Sequence, residues 1–175
     1  MIYGTSGAGK STLARELGNR LNLPVHYMDH IHWLPNWVMR DEAEKMDMVR
    51  EIVEQDAWVF EGGHSKSLPL RLARAEMVIW LDINVVTRLR RVIWRALRTR
   101  GQQRPDLPEG CIENLGPQFF ELLSYIIKTR RRTRERGFKL MNDAPEGVVT
   151  VHLRSPKAVR IFLTSLHIYT GKDPA

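Results

Sequence analysis

Residues 4 to 12 read Gly4-Thr5-Ser6-Gly7-Ala8-Gly9-Lys10-Ser11-Thr12 and fill the phosphate-binding pattern G-x-x-x-x-G-K-[ST] at every fixed position. No other feature constrains the fold as tightly, because the pattern works only between a strand and a helix. Its glycines let the backbone wrap a polyphosphate with N–H groups turned inward, and the following helix adds its positive end. Lys10 then reaches the β- and γ-phosphates, and the Ser11 hydroxyl is offered to Mg²⁺. Both flanks comply: Ile2 and Tyr3 are β-formers, and Leu13, Ala14, Leu17 and Leu21 recur at helical spacing. The run therefore predicts a nucleoside triphosphate site. Only three residues precede Gly4, whereas a mean strand has about five or six. The first strand is thus expected to be short, or the natural start to lie upstream of Met1.

With 175 residues, 43% of them hydrophobic and 27% charged, the chain suits one domain over 1–175. A mobile insertion is expected at about 99–116, where Gly, Pro and polar residues gather. No apolar run approaches the ~20 residues that span a bilayer; residues 119–127 come nearest and are broken by Glu121 and Ser124. The start does not read as a signal peptide. One cysteine, Cys111, excludes an internal disulfide and a four-cysteine zinc site, which makes a cytoplasmic location the expectation. The net charge of +7 asks for an anionic partner, nucleotide or nucleic acid.

Strand patterns at 25–28, 58–60, 77–81 and 148–153 alternate with helical patterns at 41–55, 85–97, 117–136 and from Ser155-Pro156 onward. Asn84 and Ser155 are placed to cap helices. This alternation predicts an α/β layered fold with a parallel sheet, in which ligands bind at the carboxyl ends of the strands.

Three carboxylates occupy those ends: Asp29, Glu61 and Asp82. Glu61 suits a metal-side carboxylate and Asp29 suits acceptor orientation or general base, while Asp82 reads as a turn residue before the Asn84 cap. His30, His32, Trp33 and Trp37 crowd the stretch after Asp29; with His64 they line an acceptor pocket or simply pack it, and their spacing does not favour a transition metal. Arg88, Arg91, Arg95 and Arg98 share one helical face, and Arg100 and Arg104 follow. The outer ones read as a solvated face, whereas Arg95, Arg100 and Arg104 suit a lid closing over phosphates. The cations from Lys128 to Arg136 lie at a helix end where the dipole favours them, without the interleaved aromatics of a base-reading surface. An Asn-Lys-x-Asp guanine-reading element is absent from the sequence.

In these motifs the chain resembles the adenylate-kinase-related P-loop kinases, and within them the FlaR-like, or DNA topology modulation, proteins. The resemblance is carried by Gly4 to Thr12, Met28-Asp29-His30-Ile31-His32-Trp33 with Pro35 and Trp37, Trp58-Val59-Phe60-Glu61-Gly62, Ile79-Trp80-Leu81-Asp82, Arg104-Pro105-Asp106 and Val151-His152-Leu153-Arg154-Ser155. It implies a three-layer P-loop NTPase fold, with a five-stranded parallel sheet in the order 2-3-1-4-5 and a helical lid. It also implies ATP with Mg²⁺ as phosphoryl donor to a small-molecule acceptor. The expected site comprises Lys10, Asp29, Glu61, Arg95 and Arg104 for chemistry, residues Gly4 to Thr12 and Arg100 for nucleotide, and Ser11 and Glu61 for metal. Where that family more often carries Asp-Gly, this chain carries Glu61-Gly62. The segment after Asp29 also stands where adenylate kinases hold AMP, so another acceptor is expected. Action on DNA, the alternative partner, is not favoured.

Overall fold

A computed structural model describes residues 1–166; residues 167–175, the end of the expected domain, lie outside the described residues. The chain runs β1 (Ile2–Gly4), α1 (Lys10–Leu21), β2 (Val25–Tyr27), α2 (Met28–His32), β3 (Trp33–Leu34), a 3-10 turn (Pro35–Trp37), β4 (Val38–Met39) and α3 (Glu42–Val53). It continues through β5 (Val59–Glu61), α4 (Leu68–Arg74), β6 (Met77–Leu81), α5 (Val85–Arg98), α6 (Pro117–Lys128), α7 (Arg130–Asn142), β7 (Val149–Leu153) and α8 (Pro156–Thr164).

The main sheet has the order β2-β5-β1-β6-β7 and every pairing in it is parallel. Numbered along the chain, its strands stand in the order 2-3-1-4-5 expected of a P-loop NTPase fold. Because the strands are parallel, Gly4, Tyr27, Glu61 and Leu81 all end at one edge. Side-chain alternation divides the sheet into two buried faces. Ile2, Ile79, Leu81, Val151 and Leu153 meet α1 and α8 through Leu13, Leu17 and Phe162 on one face. Tyr3, Val78 and Trp80 meet Leu72 and Leu140 of α4 and α7 on the other. Phe60 packs with Met28, Ile31, Val49 and Val53, fastening α2 and α3 beside β5.

The Asn84 side chain accepts from Val86 N at 2.7 Å and Ser155 Oγ from Ala158 N at 3.1 Å, as capping predicts. Three stretches depart from the sequence reading. Strand β2 stops at Tyr27, because Met28 and Ile31 turn into the Phe60 cluster at helical spacing and make α2. The stretch after Asp29, 30–38, reads as a loop in sequence and is instead the rest of this short helix and a β3–β4 hairpin. The single helix expected over 117–136 is two, α6 and α7, joined at Thr129, whose hydroxyl donates to Tyr125 O at 2.7 Å. Residues 99–116 form turns without a regular element of their own, between α5 and α6.

Candidate functional site

The glycine-rich loop links β1 to α1, with Gly9 in the left-handed region (φ 97°) immediately before the helix. Gly7 is also left-handed (φ 77°), and a Cβ there would lie 2.6 Å from Arg88 O and 2.9 Å from Val92 Cγ2. The loop thus rests directly on α5. Two guanidinium groups of α5 grip it: Arg88 Nε donates to Ser6 O at 3.1 Å and Arg91 Nη1 donates to Ala8 O at 3.0 Å. This corrects the reading of Arg88 as a member of a solvated face, since it is only 5% exposed, whereas Arg91 makes its contact from an exposed position. The signal was present in the sequence, since Arg88 falls in phase with Val85 and Val92 on the apolar stripe of the helix.

Beneath the loop, Ser11 Oγ donates to Glu61 Oε1 at 2.9 Å and Lys10 Nζ lies 3.7 Å from Glu61 Oε2. Glu61 ends β5 and is 2% exposed. Burial, helped by the negative fields of Asp29 and Asp106, pushes its carboxyl above the ordinary range, against the opposing pull of Lys10 and Ser11. Its Oε2 atom is buried and accepts no hydrogen bond. Arg71 of α4, which the sequence reading overlooked, is fully enclosed: it donates to Phe60 O at 3.1 Å and to Gly62 O at 2.8 Å, and its guanidinium lies 4.1 Å from the centre of the Phe60 ring. Burial pushes Arg71 down to about 10, with Glu61 opposing, so it stays cationic at neutral pH. Gly62 follows in the left-handed region (φ 114°), where a Cβ would lie 2.4 Å from Met28 Cβ.

Asp29 lies exposed in the first turn of α2, beyond the end of β2, and its charge reaches both Glu61 and His32. After it in the chain His32, Trp33 and Trp37 form successive ring contacts, with His32 and Trp33 at 4.6 Å and Trp33 and Trp37 edge to face at 5.6 Å. His64 approaches His32 at 6.4 Å, and its Nε2 lies 3.0 Å from Glu42 Oε1. Lys45, a surface residue by type, is 2% exposed here and pairs with Glu42 at 3.6 Å. Burial lowers both His32 and His64 below the ordinary histidine range, so both are neutral at pH 7. Among the described residues, no three His, Cys, Asp or Glu side chains form a group able to hold a metal ion.

The 99–116 segment folds back over this site. Arg95 makes a two-pronged pair with Glu113 at 3.0 and 2.8 Å, and Arg104 pairs with Glu113 at 2.8 Å and with Asp106. Arg100 is exposed. His30 Nε2 donates to Pro105 O at 3.1 Å, Trp37 Nε1 to Ile112 O at 3.3 Å, and Cys111 sits between Leu34 O and Trp37 N, 3.4 Å from each. Trp37 and Asn36 both have φ 62°, a conformation held against this segment. Asp82 is engaged by Arg134 at 3.1 Å and His152 at 3.2 Å, contacts that suit a structural carboxylate. In the basic helix α7, Arg131 pairs with Glu135 at 3.2 Å. A groove of about 550 Å³ is lined by Thr87, Arg90, Arg91, Trp94, Leu97 and Pro156; of these, Arg91 also reaches the loop.

No helix among the described residues is long and apolar enough to cross a membrane. Comparison with proteins of curated description finds no match. Among solved structures, shikimate kinase from Acinetobacter baumannii in complex with shikimate is similar, with a TM-score of 0.56 and 18% identity over 97% of this chain and 91% of that chain. This likeness and the sheet order assign the P-loop NTPase fold. The family model described as an AAA domain matches residues 1–114. Since that match takes in the phosphate-binding loop, α5 and most of the segment folded over them, and more than half of the sequence, the chain belongs to the AAA domain family.

Proposed function

We propose that the protein is a small-molecule kinase of the adenylate-kinase-like group, in its FlaR-like branch, transferring the γ-phosphoryl group of Mg-ATP to an acceptor bound beside Asp29. The observation that carries this reading is the convergence of Lys10, Ser11 and Glu61 under the glycine-rich loop, with Asp29 at the neighbouring strand end. The family match and the kinase fold of the similar solved structure support it.

In this reading the loop N–H groups and Lys10 hold the triphosphate, while Arg88 and Arg91 keep two loop carbonyls engaged from outside. The nucleobase lies in the groove beside Arg91 and Pro156. Ser11 and Glu61 supply hard oxygen donors for magnesium, and the unpartnered buried Oε2 of Glu61 fits that use. When bound, the metal offsets charge on the β- and γ-phosphates. Asp29 accepts the proton of the acceptor hydroxyl as its oxygen bonds to the γ-phosphorus and the bond to the β-γ bridging oxygen breaks, releasing ADP. Residues 99–116 act as the lid. Arg95 and Arg104 exchange their carboxylate partners for phosphate oxygens, and Arg100 joins them from the exposed side.

The acceptor is a small hydroxylated metabolite, nucleoside or nucleotide enclosed by His32, Trp33, Trp37 and His64. A panel of such compounds, tested for acceptor-stimulated ATP consumption, is expected to yield at least one that raises turnover above the acceptor-free rate. A chain that binds ATP yet responds to none of them would contradict the kinase reading.

A further inference from the structure

We propose that Glu113 is an internal competitor of the nucleotide: its carboxylate stands in for a phosphoryl group between Arg95 and Arg104, and its displacement by phosphate oxygens also loosens the acceptor side; this rests on the reading of both arginines as lid cations given above. Two guanidinium groups converge on this one side chain. Arg95 Nε donates to Oε2 at 3.0 Å, Arg95 Nη2 donates to Oε1 at 2.8 Å, and Arg104 Nη1 lies 2.8 Å from the same Oε1. Such a fork takes carboxylate and phosphate oxygens alike. The side chains of Arg95, Arg104 and Glu113 are only 30%, 13% and 17% exposed, so the pairing is weakly screened. Arg95 lies four residues beyond Arg91 on α5, about 6 Å of axial rise, and Arg91 Nη1 donates to Ala8 O of the glycine-rich loop at 3.0 Å. Glu113 thus occupies a cation one turn from a cation that supports the loop.

The run that carries Glu113 is also fastened to the acceptor side. Cys111, Ile112 and Glu113 are consecutive. Cys111 Sγ donates to Leu34 O and accepts from Trp37 N, each at 3.4 Å, and Ile112 O accepts from Trp37 Nε1 at 3.3 Å. Gly110, just before them, abuts Asn36, whose Oδ1 would lie 3.1 Å from a Cβ placed there. Asn36 and Trp37 both stand at φ 62°, a left-handed conformation that a tryptophan keeps only where its surroundings impose it. Glu113 is the charged anchor of this run. Exchange of its carboxylate for phosphate frees the anchor, and the run and the strained turn relax together. An internal anion that has to leave first lowers the apparent affinity of the nucleotide by the fraction of time the arginines are unoccupied.

Glu113→Gln keeps the side-chain length and one acceptor oxygen but removes the competing charge. Its affinity for adenylyl imidodiphosphate with Mg²⁺, measured by calorimetry on the full chain, is expected to exceed that of wild type by about 5- to 150-fold, the usual size of a coupling between two bound groups. A residue that merely braced the lid would give the opposite sign, weaker binding. Cys111, the one cysteine of the chain and fully buried, reports on the acceptor side. Its rate of reaction with dithiobis(nitrobenzoate) is expected to rise in wild type when the analogue binds, and to be high in Glu113→Gln with or without it. Equal or weaker affinity in Glu113→Gln overturns the proposal, as does wild-type labelling that the analogue slows or leaves unchanged. Circular dichroism checks folding, and Glu113→Ala, with the same expected signs, replaces the glutamine variant if that does not fold. Wild type that binds the analogue while Glu113→Gln binds it no tighter overturns this proposal alone. Failure of wild type to bind the analogue at all overturns the kinase reading with it.

Discussion

Ser11 Oγ donates to Glu61 Oε1 at 2.9 Å, joining the first turn of α1 to the carboxyl end of β5. The contact spans 50 residues of sequence and crosses from one layer of the fold to the next. It uses a short hydroxyl side chain in the first turn of the helix, directly after the phosphate-binding glycines. Lys10, one residue earlier, reaches the other oxygen of the same carboxylate. A buried carboxylate costs stability unless charge and hydrogen bonds offset it. Glu61 is offset on one oxygen and only distantly on the other, as a group that awaits a ligand would be.

Gly7→Ala places a Cβ 2.6 Å from Arg88 O at a backbone φ of 77°. The left-handed conformation alone costs an L-residue about 1–2 kcal/mol, and the clash with backbone adds to it. ATP affinity measured by calorimetry is expected to fall by at least about tenfold. Unchanged affinity would show that α5 does not support the loop.

Arg88→Ala removes the guanidinium that holds Ser6 O. Hydrogen bonds from charged groups contribute about 1.5–3 kcal/mol, so a loss of about 2 kcal/mol in unfolding free energy is expected in denaturant titration. Arg88→Lys should recover little of it, because an ammonium does not reproduce the Nε geometry. ATP affinity falls in both variants.

Asp29→Asn is expected to slow phosphoryl transfer by about 10²–10⁴-fold, the usual contribution of a positioned general base. Asp29 is exposed and forms no hydrogen bond or ion pair with Lys10 or the glycine-rich loop, so the dissociation constant of ATP should stay within about twofold. A loss of ATP binding equal to the loss of rate would assign Asp29 to the donor side instead.

His64 is held below its ordinary range by burial, against the pull of Glu42. A depressed histidine binds its proton more readily when unfolded, so its contribution to stability is present above the unfolded value near 6.5 and is lost as pH falls from there through the folded value. Thermal unfolding of wild type should therefore drop more steeply between pH 7.5 and pH 5.5 than that of His64→Asn, those two pH values being roughly one unit either side of the unfolded value. Parallel curves would contradict the burial argument.

The glycine-rich loop was fully legible because its chemistry is local: spacing and residue type alone define it. The alternation of strands and helices was legible for the same reason, while the sheet order came with the family resemblance. What escaped sequence reading depends on partners distant in the chain. Met28 looks like the end of a strand and Ile31 like part of the stretch after it, until Phe60 and Val49 supply the surface that makes them helical. Arg71, Arg88 and Lys45 read as surface by type, and only the carbonyls of Phe60, Gly62 and Ser6 and the carboxylate of Glu42 explain their burial. Asp106 sits in a run that reads as solvated loop, and nothing local predicts its burial against Arg104.

The most direct test is transfer of label from γ-labelled ATP to the acceptor found by the screen, in wild type and in Lys10→Ala. The Lys10 side chain approaches Glu61 only at 3.7 Å and makes no other ion pair or hydrogen bond among the described residues, so the variant should keep its circular dichroism spectrum and sheet fold. Label transfer should fall by at least about 10²–10³-fold, as when one preorganised charge-stabilising group is removed. Transfer at the wild-type rate in a folded Lys10→Ala protein would contradict a phosphoryl-transfer site built on this loop.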